Sequence, residues 1–269
     1  MRDWKGGVSS ICRSVLFVLL LIATAFLAPA HAQGINWERY CAPEGRNILL
    51  FLDVTTPYDA QDKTILVDGL QRIVSDLKGG DRIIIRTITD SAAHSERLID
   101  KCMPYCPPKG FWEDLLSDCT GGLILNHKRI LIAEIRDRAR ARLDNFTELE
   151  FSDIVTTISL VSREELSSKK ATEVFVFSDL IENSPFMPGG EFLMLANADL
   201  LKRVADNQLL PQLQGAKVHV FGVGRSGTAD RAALPIERLN KILAFWNSLL
   251  KDGGSASVDI NQNLAVQSN

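Results

Sequence analysis

Two apolar runs in this chain end in an aspartate. Asn47-Ile-Leu-Leu-Phe-Leu closes on Asp53, and Glu173-Val-Phe-Val-Phe-Ser closes on Asp179. Thr55 follows the first aspartate by two residues, and Ser152 lies in the segment leading to the second run. Carboxylates and hydroxyls are hard oxygen ligands. Gathered at one mouth they suit Mg2+ or Mn2+, with water completing the octahedron. Taken singly, each aspartate reads as a cap for the helix that follows it. Two of them, each closing a buried strand, read as one shared site.

The enzymatic readings of the same residues are weaker. A phosphatase that uses Asp53 as its nucleophile needs a second carboxylate two residues on, and Thr55 holds that place. Gly222-Val-Gly224-Arg-Ser-Gly227 spells a dinucleotide pattern. It follows the last main strand, however, and Pro235 starts the next helix too late for its N-terminus to hold a pyrophosphate. No Gly-x-Ser-x-Gly elbow occurs for a serine hydrolase. His94, His127 and His219 are scattered, and His219, inside a strand, reads as a core residue. The expectation is a non-enzyme, with an Asp53-dependent metal phosphatase as the enzymatic alternative.

The elements that must carry these side chains alternate between strands and helices. Strands are expected over 47–53, 81–89, 96–102, 173–179, 217–224 and 258–260. The third is short and polar, as an edge strand is. Helices are expected over 59–78, stopped by Lys78-Gly79-Gly80, and over 127–146 on a stripe of Leu131, Ile135, Ala139 and Leu143. Others are expected from a Ser152-Asp153 cap to about 168, over 196–210, and from Pro235 to about 250. Residues 103–126, rich in proline and glycine, read as an irregular insertion. Uninterrupted apolar strands point to a parallel sheet buried on both faces. The expected fold class is α/β: a doubly wound, mostly parallel sheet with helices on both faces and one antiparallel edge strand.

The chain has 269 residues and a formal charge of −3, with 46% hydrophobic and 23% charged residues. Those values exclude a disordered or collagen-like chain, and the mild acidity speaks against nucleic-acid binding. Arg2, Lys5 and Arg13 precede an apolar run over 15–27 that ends in Ala28-Pro29-Ala30-His31-Ala32. This is the layout of a secretory signal with cleavage before Gln33. The domain plan is then a signal over 1–32, an N-terminal extension over 33–46, one domain over 47–251 and a tail over 252–269. No membrane span is expected once the signal is removed, and the location is periplasmic or otherwise extracytoplasmic. In an oxidising compartment Cys41, Cys102, Cys106 and Cys119 favour two disulfides over a zinc site, with three connectivities open. Cys106–Cys119 is the natural local staple, leaving Cys41–Cys102.

From Asn47 to Leu250 the sequence resembles the von Willebrand factor type A domains. Those domains carry a metal-ion-dependent adhesion site built as Asp-x-Ser-x-Ser, a loop threonine and a later aspartate. The resemblance implies that Asp53 is the first aspartate, Thr55 the first hydroxyl, Ser152 the loop hydroxyl and Asp179 the last ligand. Phe221-Gly-Val-Gly224 is similar to the end of the family's fifth strand. Pro57 stands where the second hydroxyl belongs, so the implied magnesium or manganese site is incomplete. The resemblance implies a protein partner, one of whose acidic side chains completes the metal's shell. A metal-free scaffold in an envelope assembly is the alternative.

Overall fold

The computed structural model describes residues 35–107, 119–145, 149–166, 172–224 and 232–266. The expected signal segment over 1–32 lies outside the described residues, as does Gly227 of the glycine pattern. From Trp37 onward the chain builds a six-stranded sheet in the order β3-β2-β1-β4-β5-β6. Strand β1 (Asn47–Asp53) is buried at all seven positions because it lies mid-sheet between two helical layers. It pairs in parallel with β2 (Arg82–Ile88) on one side and with β4 (Thr172–Phe177) on the other. Strands β5 (Lys217–Phe221) and β6 (Ser257–Asn261) continue the parallel run, and β3 (Arg97–Cys102) is the antiparallel edge.

Alternation along β1 sorts the core into two layers. Ile48, Leu50 and Leu52 pack with α1 (Ala60–Ser75) and α2 (Gly121–Asp144). Leu49 and Phe51 pack with α3 (Ile154–Glu165), α5 (Asn197–Asp206) and α6 (Ile236–Asp252), and Phe192 of the short α4 (Gly189–Met194) joins them. The expected helix over 196–210 is thus preceded by a separate turn of helix at 189–194. The start of α2 is a further correction. Residues 121–126, expected to be irregular, already belong to the helix. Thr120 accepts the Leu123 N–H (3.3 Å) as its cap, so the two glycines occupy only its first turn.

Both cysteine pairs are bonded, Cys41 to Cys102 and Cys106 to Cys119. The first follows from register. Asn47 lies opposite Arg82, and Arg82 lies opposite Cys102, so the antiparallel β3 returns to the edge of the sheet from which β1 departs. The same edge holds a buried aspartate. Asp81 accepts the Arg46 N–H at 3.0 Å and the Arg46 guanidinium at 2.7 and 3.1 Å, and Arg46 also reaches Glu173 at 2.7 Å. Asp81 beside it holds the Arg46 guanidinium above its ordinary range. Among the described residues no helix is long and apolar enough to cross a membrane.

Candidate functional site

In an open parallel sheet, ligands bind outside the carboxyl ends of the strands where the winding reverses. Here that point lies between β1 and β4, because the chain winds outward through β2 and β3 and then crosses back to β4. Asp53 is the last residue of β1, and Ser178 follows β4 directly. Neither Asp53 nor Asp179 caps a helix. Asp59 caps α1 by accepting the Asp62 N–H at 2.7 Å, and Pro188 occupies the N-cap of the helix that follows Asp179.

Asp53 is fully buried, and both carboxylate oxygens are engaged. Oδ1 accepts the Thr55 N–H at 2.9 Å and the Thr55 hydroxyl at 2.6 Å, while Oδ2 accepts the Ser178 hydroxyl at 2.6 Å. The Thr55 and Ser152 hydroxyls lie 2.7 Å apart. A hydroxyl has one proton, so with Thr55 donating to Asp53 the second contact is a donation from Ser152. The result is a chain of neutral donors, Ser152 to Thr55 to Asp53, closed on the far side by Ser178. Burial pushes the Asp53 carboxyl above the usual carboxylate range, and the Ser178 and Thr55 hydroxyls offset that only in part.

Two loops hold Ser152 in place. Ser152 and Asn183 exchange backbone hydrogen bonds at 2.7 and 3.0 Å, and the Asp153 N–H donates to Thr89 O at 2.9 Å beyond β2. The expected Ser152-Asp153 cap is a correction. Neither side chain caps α3, and Asp153 instead accepts the Ala92 N–H at 3.1 Å. The first N–H groups of α3, those of Ile154 and Val155, both donate to Glu182 Oε2 at 2.9 Å. Glu182 is fully buried, and burial pushes its carboxyl up to about 8, against the Ser184 hydroxyl and the helix N–H groups that favour the charged form.

The turn after β4 is built with equal care. Ser178 Oγ accepts the Leu180 N–H at 2.9 Å, and Asp179 Oδ1 accepts the Ile181 N–H at 3.0 Å. Leu180 sits at φ 60°, a conformation costing on the order of 1 kcal/mol for a side-chain-bearing residue. Its carbonyl is fixed by the buried Trp246 Nε1–H at 2.9 Å.

Of the residues expected at the site, hydrogen bonds join Asp53, Thr55 and Ser152. Asp179 is buried one residue beyond Ser178, in the turn. Ser178 and Glu182 are the additions. Ser178 faces Asp53 because it stands one residue before Asp179 on an alternating strand end. Glu182 bore no local sequence signal, since its helix lies behind it in the chain. For a small divalent ion the donor set is hard oxygen throughout. The 2.7 Å between the Thr55 and Ser152 hydroxyls is near the roughly 2.9 Å between neighbouring ligands in octahedral magnesium. Pro57 adds no oxygen from its side chain.

No family model and no curated protein sequence matches the chain. Solved structures do. The SpRpn10 VWA domain is similar over 83% of this chain and 90% of its own, at 8% identity and a TM-score of 0.40. The human COPII-coat protein Sec24c is similar over 84% of this chain at 14% identity and 0.39, and a von Willebrand factor type A protein from Catenulispora acidiphila over 81% at 9% and 0.39. The chain spans 30% and 39% of the length of those two. The doubly wound α/β fold itself stands on the sheet order.

Proposed function

We propose that the chain is an exported, non-enzymatic protein-binding module of the von Willebrand factor type A kind, with its ligand mouth at the carboxyl ends of β1 and β4. The hydroxyl chain from Ser152 through Thr55 to the buried Asp53 carries this reading. It gathers oxygen ligands from two separate loops at the winding reversal, where the fold alone locates ligands. Thr55 and Ser152 would hold a magnesium or manganese ion, Asp53 would balance its charge from behind, and Asp179 would contribute directly or through water. The bound ion supplies an electrophilic point for a partner's carboxylate. An Asp53 that is fully buried with both oxygens engaged is poorly placed to attack a phosphate, which favours binding over phosphatase chemistry. The same closure favours the metal-free envelope scaffold as the second reading. Two disulfides support an oxidising compartment outside the cytoplasm.

Thermal melting with magnesium, with manganese and with chelator tests the proposal. Either ion should raise the melting temperature of the wild type, and Asp53→Ala or Asp179→Ala should abolish the rise. If neither ion moves the wild type, the metal-dependent reading fails and the scaffold takes its place.

A further inference from the structure

Of the hydroxyls at the mouth, Ser152 has the least support of its own. Thr55 and Ser178 each follow a central strand closely, whereas Ser152 stands in a loop two residues ahead of α3. Its support comes from two consecutive residues of the loop that carries Asp179. Glu182 reaches past Ser152 to accept the Ile154 and Val155 N–H groups, both at 2.9 Å. Asn183 exchanges backbone hydrogen bonds with Ser152 itself, and its side-chain Nδ2 donates to Glu150 O at 3.0 Å. The segment is therefore gripped before, at and after Ser152.

The grip is itself anchored. Asn183 Oδ1 accepts the Gly189 N–H at 2.9 Å, and a Cβ at residue 189 would lie 3.2 Å from that oxygen, so the loop closes tightly on a glycine. On the other side, Trp246 fixes Leu180 O two residues before Glu182. Glu182 is fully buried, so water does not compete for its two bonds. The first N–H groups of a helix have no acceptor within it, and Asp153 at the N-cap of α3 supplies none. Glu182 fills that vacancy from the far loop. It thereby ties the position of Ser152 to that of Asp179, three residues ahead of it in the same turn.

We infer, on the mouth reading proposed above, that Glu182 and Asn183 are positioning residues for the mouth. Together they clasp the Ser152 segment to the Asp179 loop and hold the Ser152 hydroxyl at its 2.7 Å from Thr55. Neither residue offers an atom to the ion. Magnesium demands near-ideal octahedral geometry and tolerates little displacement of its ligands. A loosened Ser152 should therefore weaken the ion far more than it weakens the fold, because a site is only as exact as the shell that supports it.

Two measurements test it, one without the ion and one with it. In chelator, native-state hydrogen exchange of the Ser152 N–H, which donates to Asn183 O, should quicken about tenfold in Glu182→Ala. It should stay near the wild type in Glu182→Gln, whose amide oxygen can accept the same two N–H groups. Magnesium affinity, read by melting titration, should fall about tenfold in Glu182→Ala and a few-fold in Asn183→Ala, with Glu182→Gln close to the wild type. Val161→Ala, in the buried face of the same helix, lowers the melting temperature without touching the clasp and should leave both readouts in place. If Glu182→Ala does not fold, Asn183→Ala carries the test. Unchanged Ser152 exchange in the alanine variants, or equal losses in Val161→Ala, overturns the inference. A wild type that ignores magnesium while Ser152 exchange follows the clasp supports the clasp and sinks the metal-dependent mouth alone.

Discussion

Asp53 and Asp81 are both buried aspartates beside central strands, and their partners differ in kind. Asp81, at the edge where β1 begins, is matched by the Arg46 guanidinium and two backbone N–H groups, so its charge is compensated within the fold. Asp53, at the opposite edge, receives neutral donors, among them the Thr55 and Ser178 hydroxyls and the Thr55 N–H. Neutral donors satisfy lone pairs but leave the net charge standing in a low-dielectric setting, and burial raises the carboxyl accordingly. One edge is fastened shut. The other retains a charge that a cation would complete.

Substitutions can break that contrast, beginning with the largest effect. Replacing Cys41 and Cys102 by alanine opens a loop between residues 61 apart and should destabilise by about 4 kcal/mol in denaturant unfolding. It should leave any magnesium response of the mouth in place, since that bond belongs to the closed edge. Arg46→Ala strands the Asp81 carboxylate and should cost about 3 kcal/mol. Asp53→Asn, by contrast, removes a charge the fold does not compensate. In chelator it should change stability by no more than about 1 kcal/mol by the same measurement. A loss at Asp53 as large as that at Arg46 would erase the distinction.

Glu182 sharpens it through pH. Its carboxyl, raised to about 8 in the fold from 4.5, binds its proton more tightly folded than unfolded. The associated stability is complete below pH 4.5 and is lost as the pH rises through 8. Glu182→Gln holds its neutral form throughout. Its melting temperature should gain on the wild type across that interval, by the equivalent of about 5 kcal/mol at most. Parallel pH profiles for the two proteins would refute the assignment. The smallest effect is at Pro57. Pro57→Ser adds a hydroxyl beside Thr55 and should tighten magnesium a few-fold in a melting titration.

Much of this architecture is legible in the residues. The unbroken apolar runs ending at Asp53 and near Asp179 read as central parallel strands, and the four cysteines that follow the expected signal segment leave few pairings. What stayed hidden obeys no local rule. Glycine normally breaks helices, so Gly121 and Gly122 obscured a start that Thr120 secures. Capping signals are read within a few residues, so Glu182, which comes later in the chain than the helix it caps, gave no sign. Ser178 is a small polar residue at a strand end, and only the pairing of β1 with β4 turns it toward Asp53.

The hydrogen bond between Ser178 and Asp53 joins residues 125 apart in sequence. Contacts of such separation are slow to form, because long stretches of chain must first be ordered. The β1–β2–β3 hairpin-and-crossover half closes on much nearer contacts and is locked by its own disulfide. The mouth is therefore a late product of folding, and a chain arrested before β4 has its crosslink but no site. In a pulse-labelled hydrogen-exchange experiment the Ser178 amide, which donates to Phe221 O only once β4 and β5 are paired, should be among the last to gain protection. A ligand of this mouth would thus distinguish finished molecules from merely oxidised ones.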